Sequence, residues 1–140
     1  MAANFRFATG VHTLVVLAAE PETLQTSNDI AKKLNTNPVV IRRVLASLQK
    51  ADLVTSQKGP NGGSKLSRSA KAITLRNVYR ALEKGPLFHA PQLAGAASTR
   101  VGGALEKVFG ALQGVLEEEL EQTTLSQLVK KLAHKDKAKK

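Results

Sequence analysis

A mainly α-helical chain with one small β ribbon and a long C-terminal helix is predicted from three observations. Two short amphipathic patterns lie back to back between Thr26 and Lys50, separated by Asn35-Thr36-Asn37, residues that compete for backbone hydrogen bonds and so break helices. Directly after them, two short β-prone stretches, Leu53 to Lys58 and Ser64 to Ser67, flank Gly59-Pro60-Asn61-Gly62-Gly63, turn formers at every position. Beyond Thr99, Leu105, Val108, Phe109, Leu112, Val115, Leu116 and Leu120 recur at helical spacing, a stripe too wide for one small head to cover. The fold class that follows is mainly α with a small β wing: a winged helix-turn-helix head plus a long C-terminal dimerisation helix.

Asn4 to Glu20 reads as the first helix, with Phe7, Val11, Leu14, Val15 and Ala18 spaced to pack on the central pair. Gly10 and three valines weaken its propensity, so burial must stabilise it. His12 reads as a surface or hydrogen-bonded helix residue, and Arg6 as either a phosphate contact or a solvated cation. After Pro21-Glu22-Thr23, Leu24-Gln25 is extended enough to add a third strand to the ribbon. Thr26 and Asp29 form a capping box ahead of Ile30, Ala31 and Leu34. Asn37 is a good N-cap and Pro38 suits the first helical position of the next helix. Ile41, Val44, Leu45 and Leu48 face the core, leaving Val39, Arg42, Arg43 and Lys50 outside. Asp52 falls where that helix must end, a position that often takes a left-handed residue.

The remainder reads as a polar link, a helix and an arm. A helix starting at Thr74 and ending near Glu83 buries Leu75, Val78, Tyr79 and Leu82, with the Tyr79 hydroxyl bonded at the edge. Gly85-Pro86 stops it, and Leu87 to Thr99 has no clear period. Ser98 or Thr99 is the expected cap of the long helix, whose stripe pairs with a second copy under C2 symmetry. The alternative is packing against the first helix of the same chain. Gly102, Gly103, Gly110 and Gly114 weaken that helix in isolation, and Glu117 to Glu119 reads as an exposed face. Thr124 opens a short closing helix bearing Leu125, Leu128, Val129 and Leu132, which docks on the dimer helix or the partner's head. The expected domains are 1–84 for the DNA-binding head, 85–98 for a loop, 99–133 for the dimerisation and closing helices, and 134–140 for a flexible basic tail.

Charge supplies the partner. The 140 residues carry a net charge of +10, which suits an anionic surface but does not choose among DNA, RNA and membrane. The distribution is more informative: between Thr26 and Arg80 the acidic residues are only Asp29 and Asp52, against Lys32, Lys33, Arg42, Arg43, Lys50, Lys58, Lys65, Arg68, Lys71, Arg76 and Arg80. Double-stranded DNA is the expected partner, with Asn37, Val39, Val40 and Arg43 toward the major groove, Arg42 reading a base or clamping a phosphate, and Lys50 a further DNA contact on the same outer side. Lys58, Asn61, Gly62, Gly63, Ser64 and Lys65 would set the wing against backbone or minor groove. A protein-interaction module of the same shape is the main rival. RNA recognition is disfavoured by an aromatic content of 4%, and the basic head offers an enzyme no carboxylate pair. Without cysteine no disulfide, thiolate nucleophile or cysteine-held cluster can form. No stretch resembles a signal peptide or a bilayer span, which points to a cytoplasmic protein that does not enter membranes.

The segment from Thr26 to Arg68, followed by ITLRNVYRALE, resembles the Rrf2 family of bacterial transcriptional regulators. Gly59, Gly62 and Gly63 stand as the family's G-x-x-G-G wing, and Ile73-Thr74-Leu75 as its I-T-L helix start. The resemblance implies a DNA-binding homodimer, most plausibly a repressor. In many relatives the loop before the long helix carries three cysteines that hold an iron–sulfur cluster. Here Val101-Gly102-Gly103 looks like the end of that motif, with Thr99 where a cysteine would stand. No cofactor and no metal site are therefore expected, His89 alone being insufficient. A small-molecule effector between the loop from Leu87 to Thr99 and the dimer helices is a candidate signal.

Overall fold

The computed structural model describes residues 4–83, 85–88 and 96–138, with side chains described for 5–83, 85–88 and 100–132. Its elements are α1 (Asn4–Ala19), α2 (Ser27–Leu34), α3 (Pro38–Lys50), β1 (Val54–Gln57), β2 (Gly63–Leu66), α4 (Leu75–Leu82), α5 (Ala96–Glu121) and α6 (Leu125–Ala138). A 3-10 turn at Ala70–Ala72 leads into α4. Among the described residues no helix is long and apolar enough to cross a membrane.

Local chemistry sets the ends of the central pair. The Asp29 amide donates to Thr26 Oγ1 at 3.1 Å while the Thr26 amide donates to the Asp29 carboxylate at 3.0 Å, the reciprocal cap expected there. Those hydrogen bonds, the backbone one foremost, hold the Asp29 carboxyl below its ordinary range. Helix α2 ends at Asn35, left-handed at φ 53°, and the chain leaves α3 through Asp52, left-handed at φ 61°. Ile30 and Ala31 from α2 meet Ile41, Val44, Leu45 and Leu48 from α3 in one core, closed by Leu53, Val54, Ile73, Val78, Leu82 and Leu125.

Helix α1 buries a different face from the one its apolar spacing suggests. Leu14 is sealed as expected, but Phe7, Val11, Val15 and Ala18 are only partly buried, and Thr13 and Leu17 are sealed instead. The hydroxyls of Thr9 and Thr13 donate to the carbonyls of Phe5 and Thr9 at 2.9 and 2.8 Å. Threonine satisfied within its own helix presents only a methyl outward, so it packs as an apolar residue that an apolar count misses.

The ribbon is antiparallel, with Val54 opposite Leu66 and Gln57 opposite Gly63. Gln25 extends it, as the sequence suggests: its amide donates to the Ser64 carbonyl at 3.0 Å and the Ser64 amide returns a bond at 2.8 Å. Gly63 has φ 151°, and a Cβ there would stand 2.8–2.9 Å from Gln25 backbone atoms.

The closing segment is stitched to its own head. The Leu75 amide donates to the Thr123 carbonyl at 2.9 Å and the Leu125 amide to the Ile73 carbonyl at 3.0 Å, so α6 begins beside α4 and lies along α1. This corrects the expectation that it docks on the dimer helix or on a partner: Leu125 fills the head's own core. Two further boundaries differ from the sequence reading. Helix α5 starts at Ala96, ahead of Ser98 and Thr99, and α6 reaches Ala138, past the expected fraying point.

Glu117 is likewise no part of an exposed acidic face. Arg80 Nε donates to its carboxylate at 2.7 Å, Arg76 lies 3.7 Å away, and Arg76 also reaches Glu121 at 3.8 Å, pinning α5 to α4. The hydrogen bond from Arg80 chiefly holds the Glu117 carboxyl below its ordinary value. Tyr79 joins the same seam, donating to the Gly85 carbonyl at 3.3 Å and accepting from Gln113 Nε2 at 3.2 Å.

Two outcomes follow. Gly63→Ala should lower stability by about 1–3 kcal/mol, through backbone strain and collision with Gln25, read as a fall in the urea unfolding midpoint. At the α4–α5 seam, the contribution of Glu117 is present in full above its ordinary value of 4.5. It is lost as pH falls through the depressed folded-state value. The difference in urea midpoint between pH 7 and pH 3 should therefore be smaller in Arg80→Gln than in the parent; an unchanged difference would remove this pair from the account of acid sensitivity.

Candidate nucleic-acid interface

Helix α3 presents its cations because its other face is used up by the core. Ile41, Val44, Leu45 and Leu48 point inward, while Val39, Arg42, Arg43 and Lys50 are exposed and Val40 is half-buried. Positions 39, 42, 43, 46 and 50 share one side of a helix. Ala46 and Gln49 are also exposed there; extending the period from Arg42 and Arg43 would have found them. Arg42, Arg43 and Lys50 make no ion pair among the described residues. At the front of the helix, Asn37 Oδ1 accepts from the Val39 amide at 2.8 Å. The cap uses the oxygen, and among the described residues the amide nitrogen makes no hydrogen bond.

Beside this helix the ribbon carries Lys58 and Asn61, both exposed, and Lys65, half-buried. Thr55 pairs with Lys65 on one face of the ribbon, and Ser56 with Ser64 on the other. Ser64 is the correction. Its side chain is only 5% exposed and hydrogen bonds Ser56 Oγ at 2.9 Å, so it holds the ribbon together and cannot face a partner. Gly62 and Gly63 also serve the ribbon itself. A Cβ on Gly62 would collide with the Gln57 carbonyl, and the Gly62 amide is already bonded to the Gly59 carbonyl at 3.0 Å. The close approach that needs glycine is thus internal, and the Gly62 amide is not available to a phosphate.

Not every cation of the head is free. Arg76 and Arg80 are neutralised by Glu117 and Glu121, and Lys33 donates to Gln25 Oε1 at 2.8 Å with Glu20 at 4.0 Å. Among the described residues, the head's cations without an ion pair are Arg6 on α1, Lys32 on α2, those of α3 and the wing, and Arg68 and Lys71 on the link. Sequence reasoning missed Gln25, which is 2% exposed and also donates from Nε2 to the Val16 carbonyl at 3.2 Å. A polar residue between Leu24 and a capping Thr26 gives no sign of burial.

Comparison with known proteins agrees with this geometry. The Rrf2 model, described as an iron-dependent transcriptional regulator, matches residues 3–131. YwnA of Bacillus subtilis, named as a helix-turn-helix transcriptional regulator, is 34% identical over 133 residues, covering 92% of this chain and 98% of that protein. A crystal structure of a chain described as a DNA-binding protein superposes with a TM-score of 0.74 at 30% identity, covering 88% of this chain and 97% of that one. A transcriptional regulator from Lactobacillus plantarum gives a TM-score of 0.80 at 25% identity, covering 93% and 91%.

The chain lacks the thiolates that would hold iron in a cysteine-ligated cluster. The chain has no cysteine, and among the described residues no three His, Cys, Asp or Glu side chains are grouped to hold a metal ion; His89 lies outside those residues. A helix-turn-helix with its wing, a family model spanning nearly the whole length and a relative matched end to end lead to one conclusion: the chain belongs to the Rrf2 family of transcriptional regulators, as a member without cysteines.

Proposed function

We propose that this protein is a homodimeric regulator that binds double-stranded DNA sequence-specifically and represses transcription from a near-palindromic operator, acting in the cytoplasm. The observation that carries the reading is the pair Arg42 and Arg43, exposed on the outer face of α3 with no ion pair among the described residues. Arginine on a recognition helix can donate two bonds to guanine, and Val39 and Val40 can contact a thymine methyl. Asn37 and Lys50 lie at the two ends of that helix, and Lys58, Asn61 and Lys65 follow the backbone from the wing. In this reading residues 1–84 hold the DNA and 99–133 hold the second subunit.

The dimer is supported by what α5 leaves uncovered. Val101, Val108, Leu112 and Val115 are 57%, 54%, 48% and 65% exposed and share one side of the helix. Leu105, Phe109, Leu116 and Leu120 are half-buried, Phe109 stacking obliquely on Phe88 with ring centroids 5.6 Å apart. An exposed apolar row of this length is costly in water, and the same row on a second copy covers it with closed symmetry. Two symmetry-related α3 helices then meet half-sites one or more helical turns apart.

Selection from random duplex DNA, followed by sequencing of the bound pool, tests the reading. A palindromic consensus should emerge with the parent protein, and Arg42→Ala with Arg43→Ala should weaken binding to it at least about tenfold. An unenriched pool would favour the protein-interaction module instead. Val108→Asp with Val115→Asp should shift the sedimentation mass from dimer to monomer and weaken operator binding together; a parent that sediments as a monomer at micromolar concentration would refute the assembly.

A further inference from the structure

Away from the recognition helix, the head contains a half-open cavity of about 500 Å³ between α1 and α6. Val11, Val15 and Val16 of α1, Leu34 of α2 and Leu128 of α6 form its walls, and none of them is fully buried. Leu132 stands half-exposed at its edge. The polar side chains that line it are His12 and Lys131, both exposed and neither paired with an acidic group among the described residues.

Volume and charge together identify the occupant. Small-molecule sites span roughly 300–1,000 Å³, and this recess falls inside that range. A helix about 10 Å across occupies roughly 400 Å³ per turn, so a second copy could seat little more than one turn here. An apolar recess whose polar lining is one lysine ammonium and one imidazole N–H donor complements a compact amphiphile with a single negative head.

We propose that this cavity binds a small monocarboxylate with a hydrocarbon body, the body against Val11, Val15, Leu34 and Leu128 and the carboxylate at Lys131, with His12 as a second donor. Leu34 is the last residue of α2, and the left-handed Asn35 after it begins the turn into α3. A bound body therefore presses on the joint between the two helices of the DNA-binding pair. That consequence rests on the DNA-binding reading, whereas the site itself does not.

The test titrates octanoate into the full-length, isotopically labelled chain without DNA and follows amide and methyl resonances. Saturable shifts should centre on Val15, Leu34 and Leu128. Lys131→Glu, at an exposed position, should weaken binding about tenfold, octylammonium should bind more weakly by a similar factor, and Val15→Trp should fill the recess and abolish binding. Failure to saturate at millimolar octanoate, equal binding of octylammonium, or unaltered affinity in Lys131→Glu would overturn the proposal. So would resonances that respond to protein concentration and not to octanoate, which would give the recess to a second subunit. Because the readout contains no operator, its failure and that of the DNA selection are independent.

Discussion

The head depends on one buried glutamine. Gln25 exchanges two backbone hydrogen bonds with Ser64, donates from its side chain to the Val16 carbonyl and accepts from Lys33. It thereby joins α1, α2 and the wing through one residue. Bonds of this kind are individually modest, but leaving a partner unpaired in a buried site costs more than forming the bond gains. Replacing the Gln25 side chain would remove its bonds to Val16 and Lys33 together, while the backbone exchange with Ser64 would remain.

The second constraint is electrostatic sorting. A chain with net charge +10 could spread its repulsion evenly, yet the acids of α5 reach back to Arg76 and Arg80, and Glu20 lies beside Lys33. Those pairs are partly exposed and contribute little to stability individually. Their larger effect is on the field: they quieten one region of the head and leave α3, the ribbon and the link at Arg68 and Lys71, with Arg6 and Lys32, as its cations without an ion pair among the described residues. Counterion release from a nucleic acid would then follow the count of these remaining cations more closely than the formal charge.

What was legible in the sequence was local. The capping box at Thr26 and Asp29, the helix break at Asn35, the left-handed Asp52, Pro38 at the start of α3 and the inward row Ile41, Val44, Leu45 and Leu48 all follow from residues within four positions of each other. The apolar row of α5 and the hydroxyl of Tyr79 were legible for the same reason. Tertiary facts were not. Ser64 reads as a polar wing residue until the strand register sets it against Ser56, and Gly62 and Gly63 read as open to a ligand until Gln57 and Gln25 close over them. Glu117 sits in an acidic run, but its neighbours in space come from a helix 37 positions earlier at Arg80. The burial of Thr9 and Thr13 requires knowing that each hydroxyl is consumed within its own helix.

The glycines of α5 bear on how order is distributed in the molecule. At Gly103, Gly110 and Gly114 a Cβ would meet nothing within 4 Å, so no packing of this chain compensates for the backbone freedom they give. The head closes on its own core, whereas the arm borrows its rigidity from whatever lies along it. In the proposed dimer, dilution would accordingly soften the arm before the head, making helical content in that half of the molecule a gauge of pairing.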